Sequence, residues 1–267
     1  MHMRDAVLEA ARFLAAGRTR QLTLEDVADH VRYSPFHLAR AFEREIGLPP
    51  GKFLAAQRFQ LAKELLLDTG EKVVDICHEV GFSAPGTFTT RFTAAVGVSP
   101  HRFRLLPSLL AEHPPEPVRV AGPDCAGGAV TGRALLSPAA VAALGRDPAV
   151  YVGLFAATSA RGVPVSGSLL GPDLEYALVG VPPGTYRLLA CALPSAAGPR
   201  AQLAPSVQAV GSAARPVRIR AGPEPLRQDV RLEVAPSWSP PVLVALPPLA
   251  SAGAQEWRGG ARLARLG

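Results

Sequence analysis

The stretch "SPFHLARAFEREIG", residues 34–47, sets Phe36, Arg40 and Arg44 four residues apart, with His37 beside them. On a helix, which turns about 100° per residue, such residues share one face. A guanidinium can bond bidentately to the N7 and O6 of guanine, an apolar ring can pack on a thymine methyl, and either kind of cation can meet a phosphate. Placing Leu38 and Phe42 inward is what turns Phe36, Arg40, Glu43 and Arg44 outward. Arg40 is best placed for guanine and Phe36 for thymine, while His37 and Arg44 suit bases or phosphates. A plain solvated face is the competing reading of any single charged helix. What weighs against it here is a repeat.

"DVADHVRYSPFHLARAFEREIGLPPGKF" aligns with "DICHEVGFSAPGTFTTRFTAAVGVSPHRF" at an offset of 49, which becomes 50 after one inserted residue. The apolar positions agree, and so do the Gly47/Gly97 and Pro50/Pro100 pairs. Each copy reads as helix, short turn, helix. Thr23 can cap the first helix, with Leu24, Val27, Ala28 and Val31 as its apolar stripe. Ser34 caps the second, Pro35 takes the first helical position, where its missing N–H is harmless, and Gly47 ends the helix. This is the helix-turn-helix layout, whose second helix lies in the major groove. Between the copies "GKFLAAQRFQLAKELLLDTG" is one helical run, with Phe53, Leu54, Leu61, Leu65 and Leu66 available to pack against both.

The second copy, "GFSAPGTFTTRF" at residues 81–92, has a serine to start the helix, Pro85 in its first turn, and Phe88 and Phe92 as anchors. Its outward positions are Gly86, Thr90, Thr93 and Ala94, with Thr87 beside them. Base contact from this helix falls to Thr87 and Thr90. Ser34 and Ser83 at the helix starts, then Arg91, Arg102 and Arg104, are candidate phosphate contacts. Arg58 on the bridging helix is either another phosphate contact or a structural partner. Cys77 stands where the first copy has Ala28, so it reads as a small core residue.

Residues 5–105 resemble the AraC/XylS-type transcription regulators. The resemblance rests on "SPFHLARAFEREIGLPPGKF", the bridging "RFQLAKELL" and "DICHEVGFSAPGTFTTRFTAAVGVSPHRFR". It implies two recognition helices in successive major-groove segments, with Phe36 and Arg40 facing the groove. It also implies promoter or operator double-stranded DNA as a partner and RNA polymerase as a further one. Members often carry a long polar side chain where Thr90 stands, so the second helix is expected to position more than it reads.

Bulk properties bound the reading without deciding it. The net charge of +6 divides as +2 over residues 1–107 (14 Lys and Arg, 12 Asp and Glu) and +4 over the remainder, so the helical region is not the more basic one. Contact with DNA must come from local placement of charge. No apolar run reaches the roughly eighteen residues of a membrane-spanning helix. Asp5, Glu9 and Arg12 interrupt what would be a secretory leader. Three scattered cysteines, Cys77, Cys125 and Cys191, suit a reducing compartment, and the expected location is cytoplasmic.

Near Pro107 the composition changes. Residues 108–126 read as a Pro- and Gly-containing linker, and 127–250 as an all-β sandwich built from "AVTGRALL", "AVYVGLFAA", "LEYALVGV", "GTYRLLACAL", "QDVRLEV" and "PVLVAL". Within it, Ser137 can cap a short helix in "SPAAVAALGRD"; residues 251–267 form a basic, flexible tail. The "VPPGTY" turn and the alternation around it resemble the transthyretin-like or carboxypeptidase-regulatory-like sandwich, which implies a non-catalytic module. No histidine follows His113, and no nucleophile elbow, phosphate loop or metal-ligand spacing appears, so neither catalysis, metal nor cofactor is expected.

The whole reads as a multidomain chain. An all-α double helix-turn-helix region fills residues 1–107, with motifs at about 23–47 and 72–97. Its expected role is sequence-specific DNA binding, with a protein-interaction scaffold that retains the helical fold as the alternative. The β-sandwich is expected to sense a small-molecule effector or to serve as an interaction module, through protein contact or self-association.

Overall fold

A computed structural model describes residues 2–120, 127–156, 164–194, 198–220, 222, 224–236 and 238–247. The tail from 251 and Cys125 lie outside these described residues. Two compact units separate. The first holds the residues up to Thr93 with Ser99–His101 and Pro236–Leu243; the second holds the remainder.

The first unit opens with α1 (Met3–Ala16), whose Ala6, Val7, Ala10 and Leu14 are buried. Thr23 caps α2 (Leu24–Val31) in a reciprocal arrangement: its hydroxyl accepts from the Asp26 N–H while the Asp26 carboxylate accepts from the Thr23 N–H. In α3 (Pro35–Ile46) the Ser34 hydroxyl accepts from the His37 N–H at 3.4 Å, and Gly47 closes the helix at φ +81°. Leu14, Val27, Leu38, Phe42 and Phe53 share one core, in which Phe42 meets Phe53 edge to face at 5.5 Å. Each fully buried side chain of this size stabilises the fold by about 1.5–3 kcal/mol.

The bridging helix α4 (Pro50–Asp68) buries Phe53, Leu54 and Leu66 as expected, but Leu61 and Leu65 are only half-buried. Phe59, Ala62 and Lys63 take the inward places instead. Phe59 is the hub of the second copy: its ring lies 5.2 Å from Phe82, 6.1 Å from Phe88 and 5.9 Å from Phe92. α5 (Val73–Glu79) buries Ile76 and Cys77, so Cys77 is the core residue the repeat predicts. α6 (Pro85–Val96) starts one residue later than the repeat predicts, leaving Ser83 a position outside the start. The reason is the inserted Ala84: proline is fixed at the first helical position, so the serine before it moves out of capping register.

Residues 236–243 also belong to the first unit. Trp238 packs against the α1–α4 core, and the buried Lys63 ammonium donates to the Val242 carbonyl at 3.4 Å. "PVLVAL" was expected as a strand and is not one. The prolines around it remove ladder donors, and its apolar run is buried without the alternation of a half-buried strand.

α7 (Pro100–Glu112), which belongs to the second unit from Arg102 on, continues past Pro107, five residues into the stretch read as linker. Buried Leu106 and Leu110 on either side outweigh the proline. The described strands are β1 (Val118–Val120), β2 (Gly128–Leu136), β3 (Ala149–Phe155), β4 (Ser166–Leu169), β5 (Glu175–Val181), β6 (Gly184–Leu193), β7 (Ala209–Ser212), β8 (Val217–Ile219), β9 (Leu226–Arg227) and β10 (Val230–Val234). They hydrogen-bond in the order β1-β4-β3-β6-β7-β10-β2-β5, with β8 on β6 and β9 on β2, and curl into a half-barrel. Val130, Leu178, Val181, Leu188, Val230 and Leu232 fill its core. The all-β character of this region is as the sequence predicts. β1, inside the expected linker, and the short β4 and β7–β9 are additions to the stretches expected as strands.

α8 (Pro138–Leu144) is capped by Ser137, whose hydroxyl accepts from the Ala140 N–H at 3.2 Å; α9 (Gly198–Leu203) has no signal in the sequence. "VPPGTY" does not make a hairpin, because β5 pairs with β2 while β6 pairs with β3, β7 and β8. It is a crossover pinned by the Tyr186 hydroxyl, which donates to the Pro182 carbonyl at 3.0 Å.

Candidate nucleic-acid interface

The outward face of α3 carries Phe36, His37, Arg40, Glu43 and Arg44, all exposed, behind fully buried Leu38 and Phe42. Phe36 is 66% exposed, the largest exposure among the large apolar side chains described. A ring two-thirds in water over fully buried Leu38 and Phe42 contributes little to the core beneath it. The Arg40 guanidinium lies 5.7 Å from the Phe36 ring centroid, and the His37 ring centroid is 6.0 Å from it. The three side chains therefore form one cluster, one turn long, with cationic and apolar surface together. Arg44 stands a turn further on, 3.6 Å from Glu45. Ser34 is occupied as the cap.

On α6, Gly86, Thr87, Thr90, Arg91 and Ala94 are exposed. Thr93, expected outward, is half-buried, and its hydroxyl donates to the Thr89 carbonyl of its own helix at 2.8 Å. The Arg91 guanidinium rests 5.6 Å from the Phe82 ring, which holds a cation at the start of the helix. Ser83 is exposed ahead of α6. On α7, in the second unit, Arg102 is exposed and Arg104 half-buried, and each has interactions of its own.

Arg58 sits differently from the other arginines. Its Nε donates to the Arg18 carbonyl at 2.9 Å and an Nη to the Arg20 carbonyl at 2.8 Å, while its Cζ lies 5.7 Å from the Phe82 ring centroid. Burial, and then the nearby Arg91 charge, pulls its pKa down from the ordinary guanidinium value. Gln21, which the repeat did not single out, donates to the Gly81 carbonyl at 3.2 Å. Sixty residues separate that pair, and no local spacing marks it.

Among the described residues, no group of three or more His, Cys, Asp and Glu side chains converges as metal ligands would, and no helix is long and apolar enough to cross a membrane.

Residues 27–105 match the family model of a helix-turn-helix domain. The helical region is an AraC-type helix-turn-helix domain, a DNA-binding type. A relative of this AraC-type domain is the HTH-type transcriptional activator AarP of Providencia stuartii, 36% identical over 87 residues, 33% of this chain and 64% of that protein. The melibiose operon regulatory protein of Escherichia coli is 30% identical over 105 residues, 39% of this chain and 35% of that one. A solved C-terminal domain of AraT, a response regulator from Geobacillus stearothermophilus, is 32% identical and covers 39% of this chain and 87% of that domain, with a TM-score of 0.37. The chain spans less than two thirds of the length of both curated relatives. The family-model match ends before the β strands begin.

Proposed function

We propose that this protein is a sequence-specific DNA-binding transcription regulator. In it α3 reads bases in the major groove, and α6 holds the neighbouring groove segment chiefly through backbone contacts. The observation that carries this reading is the exposed Phe36–Arg40 pair standing on the fully buried Leu38–Phe42 ridge. The two relatives are named as regulators of transcription, which supports it. Arg40 is assigned to guanine, Phe36 to a thymine methyl, and His37, Arg44, Thr87 and Thr90 to base edges within reach. Arg91, Arg102, Arg104, Ser34 and Ser83 are assigned to phosphates.

The β unit is proposed to act by self-association, and its "VPPGTY" turn is what supports a transthyretin-like kinship. RNA polymerase is the further partner that the regulator role implies, and the cytoplasm its place of action. The β-unit proposal is checked by the mass of the full chain as a function of concentration; a strictly monomeric chain would oppose it. A change in melting temperature with a single small molecule would favour sensing instead.

The DNA-binding reading is tested by selecting bound sites from a random DNA pool and measuring affinity on the selected site. Arg40→Ala should lose about 1–3 kcal/mol and relax the preference at one base pair. Thr90→Ala should lose less. A larger loss for Thr90→Ala than for Arg40→Ala would reverse the assignment of reader and positioner.

A further inference from the structure

We propose that Arg58 is a positioning residue: its guanidinium ties the chain entering the first helix-turn-helix to the turn of the second, and so fixes the separation of the two recognition helices. The proposal rests on the DNA-binding reading above and adds to it which residue sets the geometry.

Three segments meet at this one side chain. The first is the loop between α1 and α2, whose Arg18 and Arg20 carbonyls accept from Arg58 at 2.9 and 2.8 Å. The Arg20 carbonyl also accepts from the Leu22 N–H at 3.0 Å, so Arg58 is its second donor and adds a tie from outside the loop. The second is α4 itself, which carries Arg58 midway between the motifs. The third is the turn between α5 and α6. There the Phe82 ring lies against the guanidinium at 5.7 Å, and Gly81 leaves room for it: a Cβ on Gly81 would come within 3.0 Å of the Arg58 Cζ and Nη2. Gly81 also stands at φ +85°, a backbone conformation that suits glycine. Phe82 is in turn stacked on Phe59 of α4 at 5.2 Å and 14°. A second link between the first and third segments is the Gln21 side chain on the Gly81 carbonyl.

The chemistry requires arginine. A planar fork can serve two carbonyls from two different nitrogens while its charge sits over a ring; an ammonium is a point donor without that fixed fork. With two N–H groups committed to backbone carbonyls and its Cζ over the Phe82 ring, this guanidinium acts on DNA through the geometry it imposes. Two helices that must enter successive groove segments together bind one spacing of half-sites best, and rigid spacing makes that preference sharp.

The test uses the full chain, a selected bipartite site, and the same site with one base pair inserted between its halves. The parent should lose tenfold or more in affinity on the insertion. Arg58→Met should lose about tenfold on the original site, show a much smaller insertion penalty, and keep the parent's salt slope. Arg58→Lys should behave as Arg58→Met does. Gln21→Ala, which leaves Arg58 intact, should shift the penalty in the same direction by a smaller factor, and it carries the test should Arg58→Met fail to fold.

A DNA-free readout separates this proposal from the reading beneath it. Spin labels at positions 37 and 87, with Cys125→Ser, should give a narrow distance distribution in the parent and a broad one in Arg58→Met. An unchanged insertion penalty and distance distribution in both Arg58→Met and Gln21→Ala would overturn the clamp. So would a salt slope shallower by about one phosphate with the penalty retained, because that marks a direct phosphate contact. A broadened distribution in a chain whose parent binds no DNA would overturn the DNA-binding reading and leave the clamp standing.

Discussion

Phe36→Ala and Phe42→Ala remove the same ring from two faces of one helix, and they should do opposite things. Phe36 is 66% exposed, so only about a third of its ring leaves water on folding. Full burial of such a ring stabilises by about 1.5–3 kcal/mol, so its share here is about 0.5–1 kcal/mol. Alanine returns about half a kcal/mol of helix propensity, and the net change in stability should stay within about 0.5 kcal/mol. Phe42 is fully buried and meets Phe53 edge to face, so its loss should cost about 3–5 kcal/mol.

For DNA the order reverses. The exposed part of the Phe36 ring is on the order of 100 Å², equivalent to about 2.5 kcal/mol at full coverage. Contact in a groove covers about half of that, or roughly 1–1.5 kcal/mol, a loss of about five- to tenfold in affinity. The assay pairs thermal melting of the full chain with fluorescence anisotropy on a selected site. Phe36→Ala should melt with the parent and bind five- to tenfold more weakly. A lowered melting temperature comparable to that of Phe42→Ala would show that Phe36 belongs to the core. Parental affinity with parental melting would show that the ring does not meet DNA.

Two further perturbations test the frame that presents this face. Thr23→Ala should destabilise the first unit by about 1 kcal/mol, because the cap of α2 is lost. The pH dependence has a defined sign: the Thr23 backbone N–H, then its hydroxyl, hold the Asp26 carboxyl below its ordinary value of 3.8. The contribution is therefore complete above that value and is lost as pH falls through the lowered folded value; Thr23→Ala removes only the hydroxyl and keeps the backbone N–H, so it should make this acid limb of the melting curve shallower without abolishing it. Trp238→Ala should lower the melting temperature of the helical unit by an amount corresponding to about 1–3 kcal/mol, less than a fully buried aromatic costs, because Trp238 is only partly buried against the α1–α4 core. Melting followed by helical circular dichroism reads it, and an unchanged transition would detach residues 236–243 from that unit.

The sequence held the recognition face of α3 almost complete, because helical period and buried anchors determine outward positions without tertiary knowledge. It missed the start of α6, where one inserted residue moved Ser83 out of register, and it missed Thr93, whose hydroxyl prefers its own helix's carbonyl. Pro107 looked like a boundary because proline opposes helix, yet buried leucines on both sides carry α7 through it. "PVLVAL" looked like a strand because its side chains are β-prone, while its prolines and burial make it an irregular strap. The Arg58 contacts were illegible for a more general reason: they join residues 38 to 40 positions apart, and their acceptors are backbone carbonyls that any residue type supplies. Strand content in the β unit followed from alternation, but pairing order did not. β5 and β6 are adjacent in sequence and belong to different ladders.

The central claim is tested most directly by the salt dependence of full-chain binding to a site selected from random DNA. The logarithm of affinity should fall linearly with the logarithm of salt, by about 0.9 per phosphate neutralised, so that Arg91 and Arg102 alone give a slope of about −2 or steeper. Arg40→Ala on the same site should weaken binding by about 1–3 kcal/mol and relax one base pair. A flat salt dependence, with the selected site bound no better than random sequence, would contradict the claim that this helical unit reads DNA.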